Sequence, residues 1–300
     1  MFQETGLSVG PETGPIKEVG IVSMMLTLRV FGCHVTVQCE DAEARALLLA
    51  NYSHLQCPLH PGDLSYVVGR PRRQKGTHTF VIVRSGQPPL IAADAGEFLF
   101  LFEKEMTVAL QQLRRDLYFV HAGVLEFRRQ AFMLVAPSGS GKSTTAWALL
   151  HHGCRYLSDE LAATDLRTLE VLPYPHAICL KQAPPPAYPL PRTTLYTSRT
   201  LHIPAEHLPG GVSRDAAPLA AAFFLHYRRE AFQPTIRSLG KASATAHLLA
   251  NALNPLAHPN DGLDGALALM SGLAPFELFS ADLTATCALI IEALDRVLSR

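Results

Sequence analysis

The chain has 300 residues, of which 48% are hydrophobic and 17% charged, and its formal net charge is zero. A chain of this length and apolar content can bury a sizeable core and is long enough for about two domains. The balanced charge argues against a nucleic acid or an anionic membrane surface as the main partner. The six cysteines lie far apart with no C-x-x-C pair, which favours reduced, buried thiols over a disulfide framework or a metal knuckle.

No apolar run approaches the length that spans a bilayer. Residues 1–20 are rich in glycine and proline, and they lack the basic-then-apolar order of a signal peptide. The sequence therefore predicts a cytoplasmic protein that begins with a flexible arm over residues 1–20.

Residues 21–93 predict a small α+β domain. Apolar residues alternate between 24 and 37, which predicts two strands with Gly32 in the turn, and Asp41 is placed to cap a following helix. Further strands are predicted over 66–68 and 79–83, with a basic turn at 70–75 between them.

Helical spacing of apolar residues over 94–117 predicts a long helix that links this unit to a domain over 118–300. Within the second domain, strands are predicted at 118–126, 154–160, 177–180 and 220–227, a hairpin at 161–171, and amphipathic helices at 242–253 and 281–298. The proline-rich segment 183–192 must be an extended surface loop, either a rigid spacer or a flap over the active site.

The most informative stretch is a Gly-rich segment, 136–144, between a short apolar strand at 132–135 and a helix that begins near 145. Strand, Gly-rich turn and helix are the context that a phosphate-binding loop requires, because backbone N–H groups and a helix N-terminus form a positive concave site. Alanine (Ala136) replaces the first glycine of the usual pattern. The predicted nucleotide-binding residues are Ser138, Gly139, Ser140, Gly141, Lys142, Ser143 and Thr144.

An acidic pair, Asp159-Glu160, ends the strand that follows the loop helix. In phosphoryl transfer, one carboxylate can order Mg²⁺ while another accepts the proton of an attacking hydroxyl. His121, near the start of the predicted strand at 118–126, is a further candidate, although a lone histidine there is more often a hydrogen-bonded filler than a catalyst.

These motifs, at these separations, resemble the bacterial HPr kinase/phosphorylase family. The matching segments are His121 to Leu125, Ser138 to Ser143 and Leu157 to Glu160, about a fifth of the chain. More diffusely, the chain looks like HPr-kinase-related proteins found beside modified-peptide gene clusters. The resemblance implies an α/β fold whose P-loop core is HPr-kinase-like, and hence similar to that of PEP carboxykinases, with a small N-terminal α+β unit.

The resemblance also implies roles. Lys142 and the loop amides would hold ATP phosphates, Ser143 and Glu160 would hold Mg²⁺, and His121 would lie near the γ-phosphate. Asp159 would be the general base, within reach of the same metal. From position alone, and not from the resemblance, Lys181 or Arg192 would add positive charge.

The implied function is an ATP- and Mg²⁺-dependent kinase that phosphorylates a hydroxyl, most simply serine, on a peptide or small protein such as a peptide natural-product precursor. The family's downstream Gly-containing signature is absent, which argues against phosphorylase activity and against HPr as the substrate. Two alternatives stay open. One is a catalytically weak kinase-fold module that binds a precursor peptide or partner protein, and the other is a small-molecule enzyme related to PEP carboxykinase. The resemblance is compatible with a homo-oligomer.

Overall fold

The computed structural model describes residues 24–71, 79–227 and 233–299. The predicted arm at 1–20 and positions 72–75 of the basic turn lie outside the described residues. The strands are β1 Met24–Val30, β2 Cys33–Cys39, β3 Leu64–Gly69, β4 Phe80–Arg84, β5 Leu90–Ala92, β6 Leu117–Val120, β7 Ala122–Phe127, β8 Gln130–Val135, β9 Arg155–Ser158, β10 Ala162–Asp165, β11 Glu170–Leu172, β12 Ile178–Leu180, β13 Leu195–Tyr196, β14 Leu201–Ile203, β15 Ala217–Tyr227, β16 Thr235–Ser238 and β17 Ala274–Ser280. The helices are α1 Ala42–Tyr52, α2 Ala95–Leu113, α3 Lys142–His151, α4 Lys241–Leu249, α5 Leu263–Gly272 and α6 Leu283–Leu298.

The N-terminal part folds as a five-stranded sheet in the order β1-β2-β3-β4-β5, in which β2 and β3 run parallel and the other neighbours antiparallel. Phe31 and Gly32 both have positive φ in the turn between β1 and β2, as a two-residue hairpin requires. Asp41 caps α1 by accepting a hydrogen bond from the Ala44 N–H at 2.9 Å. The predicted hairpin and the predicted cap are both confirmed.

Helix α2 packs its buried face against β4 and β5. The helix ends at Leu113 with Arg114 as its C-cap, and Leu117 is already the first residue of strand β6. The hydrophobic core around the five-stranded sheet also includes Phe119 of β6 and Ala163 of β10. The N-terminal sheet is therefore joined by packing, as well as by the chain, to the part that follows.

The larger sheet has nine strands and centres on β15. This strand lies between β8 and β17 and runs parallel to both. Alternate residues of β8 enter two different cores: Phe132 and Leu134 face the side covered by α3 and α6, and Met133 and Val135 face the side covered by α4 and α5. Helices therefore cover both faces of the sheet, and the prediction of an α/β fold is confirmed.

A small antiparallel sheet, in the order β12-β14-β13, packs beside the loop helix. The proline-rich segment between β12 and β13 is fixed by Tyr188, whose carbonyl accepts a hydrogen bond from Trp147 Nε1 at 3.0 Å. The Tyr188 ring is buried, and its hydroxyl lies 3.0 Å from His152 Nε2. These contacts hold the middle of the segment against α3.

No helix in the described ranges combines the length and the apolar character needed to cross a bilayer.

Candidate functional site

The Gly-rich loop joins the end of β8 to the start of α3. Gly139 and Gly141 have φ of +86° and +87°, and a Cβ at either position would meet no atom within 4 Å. The glycines are therefore needed for the backbone conformation and not to avoid a clash. Gly141 is the N-cap of α3, and no side chain caps this helix among the described residues. The first backbone N–H groups of α3 are thus left without a capping side chain, and with the helix dipole they form a local positive site next to the loop.

The side chain of Lys142 folds back onto the beginning of the same loop. Its Nζ donates hydrogen bonds to the carbonyl oxygens of Ala136 at 2.7 Å and Pro137 at 3.4 Å. The residue is 5% exposed, and burial lowers the pKa of its ammonium group while the Glu160 and Asp159 carboxylates oppose that change. The buried Lys142 ammonium group is thus held at the first residues of the loop, within the electrostatic influence of the Asp159 and Glu160 carboxylates.

Asp159 lies immediately after β9 and has no exposed surface. Its Oδ2 accepts a hydrogen bond from the Cys179 N–H at 3.3 Å, whereas its Oδ1 has no hydrogen-bond partner among the described residues. Burial, and then the charge of Glu160, raise the pKa of Asp159 to about 7. The Ser143 hydroxyl acts in the opposite direction and favours the ionised carboxylate.

Glu160 faces a different environment from its neighbour. Its side chain is 48% exposed, and its Oε2 lies 2.9 Å from His121 Nε2. Partial burial raises the pKa of Glu160, but the hydrogen bond from His121 and then its charge outweigh burial, and the net pKa is lowered. The His121 backbone N–H donates to the Asn251 carbonyl at 2.8 Å, which fixes the junction between β6 and β7.

The fold thus brings together residues that are separated in the sequence. His121 contacts Glu160. The Ser143 hydroxyl lowers the pKa of Asp159, and the Asp159 and Glu160 carboxylates raise the pKa of Lys142. Of the two cations suggested from position alone, Lys181 donates from Nζ to Ser138 Oγ at 2.9 Å. Arg192 forms no hydrogen bond or ion pair with the loop in the part of the chain that the structure describes.

Sequence reasoning missed a buried ion pair behind the site. His176 is fully buried, and its Nε2 lies 3.0 Å from Glu103 Oε1 of helix α2. Burial alone would lower the pKa of His176, but the Glu103 carboxylate outweighs it and raises the pKa to about 9. The cationic ring in turn favours the ionised form of Asp159. No local pattern joins Glu103 to His176, so only the tertiary fold reveals this pair.

A thiol and an imidazole also meet near the site. Cys179 Sγ lies 3.3 Å from His202 Nδ1, and the same nitrogen lies 2.7 Å from Asn51 Oδ1. Burial raises the pKa of the Cys179 thiol and lowers the pKa of His202 to about 4. Both groups are therefore neutral near pH 7, which is the opposite of what an activated cysteine nucleophile needs.

The oxygen atoms near the loop suit a metal ion that a bound phosphate would also coordinate. Across residues 24–71, 79–227 and 233–299, no group of three or more His, Cys, Asp or Glu side chains could hold a metal ion. The unpartnered Asp159 Oδ1 and the neighbouring Ser143 hydroxyl supply two oxygens. Mg²⁺ is usually bound through one or two carboxylates together with substrate phosphates, so this set suits a nucleotide-bound metal better than a protein-only cage.

No protein-family model matches the chain, and no curated protein matches it. Among solved structures, the chain is similar to the Hpr(Ser) kinase/phosphatase from Coxiella burnetii. The identity is 12%, the match covers 59% of this chain and 93% of that chain, and the TM-score is 0.31.

Proposed function

We propose that this protein is an ATP- and Mg²⁺-dependent phosphotransferase whose acceptor is a hydroxyl, most simply that of serine, on a peptide or small protein. The observation that carries the proposal is the convergence of one buried cation and two carboxylates, Lys142, Asp159 and Glu160, on an uncapped helix N-terminus behind a Gly-rich loop. We further propose that it works in the cytoplasm and that its acceptor is a peptide natural-product precursor.

The loop and Lys142 would bind the phosphates. Backbone N–H groups at a helix N-terminus and a lysine that reaches the outer phosphates are the usual elements of such a site. Bound MgATP would supply the phosphoryl group and the metal charge. Lys142 would exchange its hydrogen bonds with the carbonyls of Ala136 and Pro137 for bonds to phosphate oxygens.

The contacts favour Asp159 as the metal-binding carboxylate. In P-loop nucleotide hydrolases, Mg²⁺ is held by the hydroxyl that follows the loop lysine and by an aspartate at the end of a strand. Ser143 and Asp159 would form the corresponding pair here, and Asp159 Oδ1 is a buried acceptor without a donor among the residues that the structure describes. A buried carboxylate oxygen of this kind is costly unless a cation or a donor satisfies it.

Glu160 is better placed than Asp159 to meet the acceptor. A general base must come within hydrogen-bond reach of the hydroxyl, and Asp159 has no exposed surface whereas the Glu160 side chain is half-exposed. His121 holds the Glu160 carboxylate and keeps it ionised. Phosphoryl transfer has a loose transition state, so an ionised carboxylate that orients the hydroxyl is sufficient. We therefore propose the reverse of the assignment expected from sequence resemblance, which made Asp159 the base and Glu160 a metal ligand.

One observation supports a second candidate function, a kinase-fold module that binds a precursor peptide or partner with little or no turnover. The Lys142 ammonium is buried and already satisfied by loop carbonyls. If this arrangement persists in solution with ATP present, the site does not engage phosphate.

Transfer of labelled phosphate separates the two candidates. The protein is incubated with γ-labelled ATP, Mg²⁺ and serine-containing peptides encoded beside its gene, with Lys142→Met as the matched variant. The phosphotransferase account expects labelled peptide and ADP with the wild type and a loss of at least about 100-fold in the variant. Calorimetric peptide binding that needs neither ATP nor Mg²⁺, with no ADP formed, would instead support the binding module.

A further inference from the structure

Strand β12 connects the acidic pair to the Gly-rich loop. The Cys179 N–H of this strand donates to Asp159 Oδ2 at 3.3 Å. Directly after the strand, Lys181 Nζ donates to Ser138 Oγ of the loop at 2.9 Å. One short segment thus contacts the carboxylate side of the site and the loop at the same time.

The strand that directly precedes Lys181 is held by two backbone contacts. Cys179 pairs with His202 in the antiparallel ladder between β12 and β14. The Ala177 N–H donates to the Asn51 carbonyl of helix α1 at 2.7 Å. Lys181 follows this anchored strand directly, so a movement of its side chain is enough to meet a ligand at the loop.

Two ammonium groups converge on the same end of the loop. Lys142 Nζ contacts the carbonyls of Ala136 and Pro137, and Lys181 contacts the next residue, Ser138. After burial, the charge of Lys181 is one of the influences that lower the pKa of Lys142. Like charges this close repel each other, and an anion between them relieves the repulsion.

We propose that Lys181 is a second phosphate-binding cation that grips the outermost phosphate of ATP together with Lys142. This inference rests on the proposed function. The lysine of a phosphate-binding loop reaches the outer phosphates, whereas the amides at the helix N-terminus hold the inner ones. In this chain that lysine is Lys142. Lys181 lies at the Lys142 end of this arrangement, so its charge stabilises a triphosphate more than a diphosphate.

The test compares the binding of MgATP and MgADP by calorimetry in the wild type and in Lys181→Met. A charge-assisted hydrogen bond to phosphate accounts for about tenfold in affinity, so we expect MgATP to bind about tenfold more weakly in the variant and MgADP to change by less than about threefold. Lys181→Arg keeps the charge and should recover most of the MgATP affinity. Lys104→Met removes an exposed lysine on α2 and should match the wild type.

Each outcome decides the assignment. Unchanged MgATP binding in Lys181→Met, or an equal loss for MgATP and MgADP, overturns the assignment of Lys181 while leaving the proposed function standing. Failure of the wild type to bind either nucleotide overturns the proposed function, and the role of Lys181 falls with it.

Discussion

His121 Nε2 and Glu160 Oε2 lie 2.9 Å apart although 39 positions separate the two residues in the chain. The contact joins the junction before β7 to the acidic pair after β9, across the edge of the site. It gives Glu160 an ionised, oriented and half-exposed carboxylate, whereas Asp159 beside it is buried and carries a raised pKa. Two neighbouring carboxylates with opposite pKa shifts can divide two roles between them.

Glu160→Gln and Asp159→Asn should therefore have different effects. We expect Glu160→Gln to lower kcat by about 100-fold or more with little change in MgATP affinity, because positioned general bases contribute on that scale. Asp159→Asn should weaken MgATP binding and leave the binding of metal-free ATP nearly unchanged. Turnover kinetics and calorimetry measure both effects. If Asp159→Asn lowers only kcat while Glu160→Gln weakens Mg²⁺ binding, the assignment from sequence resemblance is the right one.

The affinity for MgATP should depend on pH through Asp159. Burial and the charge of Glu160 raise the pKa of this carboxyl to about 7, and a metal ligand must lose its proton before it binds. Affinity should therefore rise between about pH 6 and about pH 8, and this rise should disappear in Asp159→Asn or without Mg²⁺. A flat profile in the wild type would show that Asp159 does not meet the metal.

Asp159 should also destabilise the nucleotide-free protein at neutral to alkaline pH. Its pKa is raised in the folded state, so ionisation costs stability as pH rises from the unfolded pKa of about 4 toward about 7. We expect Asp159→Asn to raise the free energy of unfolding at pH 8 by roughly 1–3 kcal/mol, since it removes a buried charge with an unpartnered oxygen. Urea denaturation measures the change, and Asp215→Asn, at an exposed position, serves as the control. An equal or lower stability of Asp159→Asn would contradict the account.

The Glu103–His176 pair should stabilise the fold in a pH-dependent way. Because the pKa of His176 is raised to about 9, the contribution of the pair is full below about pH 6.5 and is lost as pH rises through about 9. Glu103→Gln leaves a buried histidine without its counter-ion and should cost about 3–5 kcal/mol at pH 6.

Glu97→Gln is the matched control on the same helix. It weakens an exposed pair with Arg199, and surface pairs contribute about 0–1 kcal/mol. Thermal unfolding of both variants at pH 6 and about pH 9 separates the effects. If Glu103→Gln is no more destabilising than Glu97→Gln at pH 6, His176 is not held as a cation.

The sequence predicts elements well where the deciding interactions are local. The apolar run before the Gly-rich loop becomes strand β8, and the predicted buried strand at 220–227 forms the last eight of the eleven residues of β15. Helix α6 begins at Leu283, close to the predicted start at 281, because Asp282 caps it by accepting the Ala285 N–H at 2.8 Å. Each of these patterns is complete within a few neighbouring residues.

Prediction fails where long-range contacts decide. Helix α5 is not among the predicted elements. It contains Gly265 and Gly272, and glycine weakens a helix, but Gly265 is needed because a Cβ there would lie 2.7 Å from the Tyr118 ring. Strand β17 is parallel to β15, a pairing between segments far apart in the chain. The distinct environments of Asp159 and Glu160 depend on Cys179 and His121, which no local pattern connects to them.

The most direct test of the account is MgATP binding by the wild type and by Lys142→Met, measured by calorimetry with circular dichroism to verify that the variant is folded. We predict that the wild type binds one MgATP per chain and that Lys142→Met binds it at least about tenfold more weakly, because the lysine contacts the outer phosphates. Equal binding by the two folded proteins, or no binding by the wild type, would contradict the claim that residues 136–144 form a nucleotide phosphate site.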